Sequence, residues 1–180
     1  SPLLTLYGAV EARETAQLST VVSGYIKSIY HNKGDWVDQG ELLLTLDDQE
    51  LQLALLQRQA SVDDLEARIT NEQLRFKSDQ EALVIEQQLQ KINNRNLQRQ
   101  QALMQQNMSS QVQLEDALRA VQQQQLAMIN RKRSIAEHPY RLAQLKSQAI
   151  QSQVQLSLAQ MDLKRSRVNA PFGGRILNVD

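Results

Sequence analysis

The sequence predicts an α+β chain: a long antiparallel α-helical coiled-coil hairpin set between the two halves of a small β domain. Three observations carry this. Apolar residues recur every seventh position through two long runs of similar length. Short strand-like segments, punctuated by Gly, Asn and Asp, stand at both ends. Aromatic residues make up only 4% of the 180 residues, with six Gly and three Pro, which suits long solvated helices better than a thick globular core.

The first β segment opens at Val21-Val22, turns at Ser23-Gly24 and continues through Tyr25 to Tyr30, rich in β-branched and aromatic side chains. His31 to Asp35 is a turn cluster, Trp36-Val37 a short strand, Asp38-Gln39-Gly40 another turn and Glu41 to Leu46 a last strand. Short strands with this punctuation read as a hairpin-built sheet. Asp47 or Asp48 can cap the helix that follows, and Glu50 adds negative charge near its positive end. One heptad series then runs Leu55, Val62, Ile69, Phe76, Leu83, Gln90, Leu97, Met104, and a second Leu114, Val121, Met128, Ile135, Leu142, Ala149, Leu156, Leu163. Sustained seven-residue repeats are the mark of coiled-coil packing. Neither series shows a complete second apolar stripe. Between them Asn107 can take left-handed dihedrals at a helix end, and Ser110 with Gln113 has capping-box spacing. The chain therefore reverses near 105–110, with arms of roughly 58 residues or ~87 Å. Pro139 lacks an amide hydrogen and predicts a bend in the second arm rather than a boundary. An antiparallel hairpin returns its ends to one place, so the segment from Val168 to Ile176 is expected to pair with the first β zone.

Twenty basic and twenty acidic side chains give zero formal net charge, which leaves no electrostatic footprint for nucleic acid and no polybasic patch for an anionic membrane. There is no Cys, so the compartment cannot be read from disulfides. No apolar run approaches the ~20 residues that cross a bilayer. The start, Ser1-Pro2-Leu3-Leu4, has no basic or apolar leader pattern, so any signal or anchor is expected to lie outside this sequence.

Catalytic and metal chemistry find little support. His31 and His138 are the only histidines, with no second histidine at ligand spacing, and both are expected to be exposed. Asp47-Asp48 and Asp63-Asp64 are adjacent pairs, which on a helix diverge by about 100° rather than converge. Gly173-Gly174 reads as a turn. No metal, cofactor or catalytic residue is expected.

The spacing of Gly24, Ile26, Ile29, Gly34, Asp35, Val37, Gly40, Leu43 and Asp47 resembles the first half of a lipoyl/biotinyl-like β domain. Ala170-Pro171-Phe172, with Gly174 and Ile176, resembles the start of its second half. Two such halves separated by a coiled-coil hairpin resemble the periplasmic adaptor proteins, the HlyD-like membrane fusion protein family. The resemblance implies that residues 1–14 form a strand or linker from an adjacent β-barrel domain. It places the first lipoyl-like half at 15–46, the hairpin at 47–167 and the truncated second half at 168–180, so the chain is expected to be a fragment. A lipoyl-type carrier needs a lysine at a tight hairpin tip; here Asp47 to Leu51 runs into helix, with no Lys between Lys33 and Lys77.

The resemblance also implies a docking site. Arg99, Leu103 and Ser110 match a set that lies at the hairpin tip of adaptors and meets a TolC-like outer-membrane channel; Asn107, Met108 and Ser109 complete the tip. Independently, with Leu97 and Met104 on the seam, Ile85, Leu89 and Ile92 form a second stripe roughly 120° away that a two-helix hairpin does not need. These are expected to meet neighbouring hairpins, Leu103 to meet the channel, and Arg99 to bond carbonyls or carboxylates there. Ser110 is expected to cap its helix, contact the partner, or both. The implied function is a periplasmic adaptor, associated with the inner membrane and hexameric in the assembled pump. It would bridge an inner-membrane transporter, favoured to be of the resistance-nodulation-division (RND) type, to that channel. A type I (ABC) secretion or major-facilitator export partner is the alternative; a coiled-coil scaffold and a carrier domain are the rivals from other classes.

Overall fold

The computed structural model describes residues 15–178; the expected entry strand within residues 1–14 lies outside the described residues. The elements run β1 (Ile26–Ile29), β2 (Trp36–Val37), β3 (Leu42–Leu46), α1 (Gln49–Gln105), α2 (Gln111–Arg165), β4 (Arg167–Asn169) and β5 (Gly174–Arg175). The fold class is the one the sequence predicts. Two compact units emerge, one from the chain's two ends up to Leu53 and from Ala159, the other from Ala54–Leu158.

In the first unit the two sequence-distant β segments pair. A three-stranded sheet has the order β1-β3-β4, and β2 pairs with β5, all antiparallel. Leu42 faces Asn169, Leu44 faces Val168, and Trp36 faces Arg175. Backbone bonds extend the pairing: Gly34 N–H donates to Ile176 O at 2.8 Å, and Gly40 N–H to Ala170 O at 2.8 Å. Gly34 (φ 98°) and Gly40 (φ 84°) hold left-handed dihedrals at these turns, which side chains with a Cβ resist. The Asp35 carboxylate accepts from Asn32 N–H at 2.7 Å, and the Pro171 carbonyl accepts from the Gln39 amide at 3.0 Å. Gly24 packs against Leu46, and Gly174 pairs with Val37. Val37, Leu46 and Ala170 are the buried apolar residues here. Ser166 is almost fully buried and turns α2 into β4: its hydroxyl donates to Leu163 O at 2.7 Å, and its carbonyl accepts from Leu46 N–H at 2.8 Å.

The helices form as the heptads require. Asp47 Oδ1 accepts from Gln49 N–H at 3.2 Å, satisfying a first-turn donor of α1. Every member of both heptad series is buried or half-buried, Gln90 included. α1 has 57 residues and α2 has 55, about 85 Å each at 1.5 Å per residue. α2 runs without interruption through Pro139.

A second inner stripe is present, and over the middle of the hairpin it is polar. Three residues beyond the α1 seam positions from Ile69 to Leu97 stand Glu72, Asp79, Glu86, Asn93 and Gln100, all turned inward. Their counterparts on α2 include Gln124, Arg131 and His138. Arg131 donates to Asp79 through Nη1 and to Glu86 Oε1 through Nε and Nη2 at 3.3 and 3.2 Å. Ser134 Oγ donates to Asp79 at 2.6 Å. Glu72 Oε1 sits 2.9 Å from His138 Nδ1 and accepts from Arg141 Nε at 3.0 Å. The His138 ring stacks on Phe76 with centroids 4.0 Å apart. Gln124 and Asn93 each reach across to a backbone carbonyl, of Glu86 and Ala120.

The expectation of two exposed histidines is corrected. His138 is only 8% exposed, because a carboxylate and an aromatic ring on α1 receive it. His31 is partly buried, with Nε2 3.4 Å from a Glu41 carboxylate oxygen. Burial would raise the Glu72 carboxyl, but hydrogen bonds and charge from His138 and Arg141 outweigh it and hold the group below its usual range. The Ser134 hydroxyl, with the Arg131 guanidinium, does the same for Asp79 against the opposing effect of burial. Asp79 and Glu86 together push Arg131 above its ordinary value.

The hairpin tip as the candidate docking site

The turn between the helices is built by two capping motifs. Asn107 takes the left-handed conformation (φ 58°), which costs most L-residues ~1–2 kcal/mol and which Asn tolerates through its short polar side chain. Around it Met108 N–H donates to Leu103 O at 2.8 Å and Asn107 N–H to Met104 O at 3.0 Å. This 6→1 and 5→2 pair is a Schellman motif and satisfies the last carbonyls of α1. α2 starts with a reciprocal capping box: Gln113 N–H donates to Ser110 Oγ at 3.3 Å, and Ser110 N–H to Gln113 Oε1 at 3.1 Å. Ser109 Oγ lies 2.7 Å from Gln100 Oε1 and 3.0 Å from Gln113 Oε1, tying the turn to both helices.

The tip residues singled out from sequence are thereby placed within a few turns of one another. Ser110 caps its own helix. Leu103 is half-buried and anchors the Schellman motif through its carbonyl. Arg99 is exposed one turn before Leu103, its Nη2 donating to Asn96 Oδ1 at 2.6 Å. Met108 is exposed at the apex. The reversal thus leaves Arg99, Met108 and Val112 exposed around a capped turn.

Ile85 (59% exposed), Leu89 (44%) and Ile92 (58%) lie outside the hairpin core. Burying an apolar side chain of this size stabilises by ~1.5–3 kcal/mol, so three in one stripe are a substantial unspent driving force. α2 adds exposed Leu118, Leu126 and Ile129, which the heptad reading passed over because they lie off its seam. Trp36, in the β unit, is also exposed. The polar stripe of the hairpin core was missed for a different reason. Its signal is a seven-residue recurrence of polar residues at 72, 79, 86, 93 and 100, invisible to a search for apolar periodicity.

Among the described residues no group of three or more His, Asp or Glu converges to hold a metal ion, and no helix is long and apolar enough to cross a membrane.

No family model matches the chain. It is similar to a UPF0194 membrane protein of Yersinia enterocolitica, 32% identical over 184 residues, covering 97% of this chain and 56% of the relative. The chain thus spans about half the length of the curated relative it matches. Among solved structures it is similar to MacA from Actinobacillus actinomycetemcomitans, with TM-score 0.58, 19% identity, and coverage of 92% of this chain and 42% of that one. It is also similar to the membrane fusion protein Spr0693 from Streptococcus pneumoniae R6, with TM-score 0.57, 16% identity, and coverage of 87% and 48%. At these identities the structural likeness is one of fold.

Proposed function

The chain has the fold of the membrane fusion proteins, and on that premise we propose that it is the adaptor subunit of a tripartite efflux pump. It acts in the periplasm, associated with the inner membrane, and bridges an inner-membrane transporter to a TolC-like outer-membrane channel. Its work is mechanical: the hairpin spans distance, and the tip docks on the helical end of the channel through Arg99, Leu103 and Met108. Ile85, Leu89 and Ile92 contact the neighbouring hairpin in a hexameric assembly. An RND-type transporter is the favoured partner, ahead of an ABC or major-facilitator exporter.

The observation that carries the reading is the tip itself. Two capping motifs hold the turn from within, so the exposed Arg99 and Met108 can meet a partner without loss of the turn. Preorganisation of this kind lowers the entropic cost of docking.

Cysteine cross-linking in cells tests it. Single Cys residues at Arg99 and Met108 of the full-length protein, positions that no cap requires, are paired with single Cys residues along the periplasmic end of a candidate channel. Discrete adducts at the tip, absent from a control Cys at exposed Ser61, are the expected result. An exported, folded protein that gives no adduct with any channel of the cell refutes tip docking.

A further inference from the structure

We propose that the Glu72–His138–Arg141 cluster is a splint across a proline-weakened turn of α2, and that releasing it turns the middle of the hairpin into a hinge. The weakness is built into the chain. Pro139 has no N–H, so the Ile135 carbonyl lacks its helical donor, and the ring crowds that carbonyl; the cost is of order 3 kcal/mol in a helix interior. The residue before a proline is also disfavoured in the helical region by the proline Cδ. That residue is His138, and it is helical.

The polar ties converge on this turn. Glu72 holds His138 at 2.9 Å and Phe76 stacks on its ring, so two α1 side chains fix the one residue most averse to its conformation. Arg141 bridges the proline on its own helix: Nη2 donates to Ser134 O at 3.0 Å and Nη1 to Glu137 at 3.2 Å, both upstream of Pro139. Its Nε reaches Glu72 on α1. One guanidinium therefore ties the turn before the proline, the turn after it and the facing helix together. The neighbouring Asp79 adds a bond from Ser134 at 2.6 Å. Further along, the inner stripe that carries Glu72 and His138 turns apolar, with Leu65 and Leu145 half-buried. Pro139 lies near the middle of α2, so a joint there would tilt the tip-bearing half of the hairpin against the rest. Such a joint lies within the hairpin and acts whatever the tip docks with.

Amide hydrogen exchange on the full-length protein tests it, because local opening is read directly from exchange rates. Glu72→Ala removes both cross-helix hydrogen bonds of the cluster, and Arg141→Met removes only the guanidinium and serves if Glu72→Ala fails to fold. Each is expected to speed exchange across residues 137–143 by about tenfold or more, with little change at 147–155. Adding Pro139→Ala to either variant is expected to restore protection, since the turn then needs no splint. Unchanged exchange in both single variants overturns the proposal. So does acceleration that Pro139→Ala fails to reverse, for the ties would then be ordinary interhelical contacts.

Discussion

Replacing Arg131 by Met should destabilise the hairpin more than replacing Asp79 by Asn, although the two side chains share an ion pair. Arg131 serves two carboxylates, Asp79 and Glu86, whose side chains are 8% and 16% exposed. Arg131→Met strips the hydrogen-bonded countercharge from both and leaves Asp79 the Ser134 hydroxyl and the unbonded charge of Arg75. Breaking a buried pair from one side costs about 3–5 kcal/mol. A third of the Arg131 side chain meets solvent, which screens the loss and points to about 3 kcal/mol, the lower end of that range. Asp79→Asn is gentler: the amide oxygen still accepts from Ser134, and Arg131 keeps Glu86. What is lost is one charge-assisted hydrogen bond, about 1.5–2 kcal/mol. Urea unfolding followed by far-UV circular dichroism measures both at neutral pH. The triple variant D79N/E86Q/R131M removes every charge together and should regain much of the Arg131→Met loss. If Asp79→Asn proves as costly as Arg131→Met, the picture of one guanidinium neutralising two carboxylates is wrong.

Glu72 and Asp79 are held below their ordinary values of 4.5 and 3.8. The unfolded chain thus binds protons first as pH falls, and the stability these groups contribute is complete above pH 4.5 and drains away below it as the folded carboxyls protonate. Acid titration of the urea midpoint should show that decline, flattened in E72Q/D79N; a parallel decline in the variant would place the acid sensitivity elsewhere. At the tip, Ser110→Ala should cost about 1 kcal/mol and fray the first turn of α2, with Ser110→Thr retaining most of the cap. Exchange rates at Gln111 to Leu114 check this, and equal rates in all three proteins would mean the capping box carries no energy.

The hairpin was legible because a heptad repeat is a local pattern. Leu55 to Met104 and Leu114 to Leu163 name the buried seam without any partner in view, and all prove inward-facing. Asn107 and the Ser110–Gln113 pair were legible because caps are made within a few residues. The pairing of β3 with β4 across more than a hundred residues was inferred only because the antiparallel arms bring their ends back together.

The sequence by itself determined the fold class, the seam and the turn, all set by local backbone preference and apolar spacing. Tertiary structure alone decided what fills the other half of the hairpin core. Glu72, Asp79, His138, Arg131 and Arg141 read as solvated polar residues one at a time. A charge becomes a core residue only when a countercharge stands opposite it, and here that partner lies 45 to 69 residues away on the other helix. The outward placement of Ile85 and Ile92, expected from their offset from the seam, has the same cause. The polar stripe occupies the inner positions, and these apolar side chains are left on the outside.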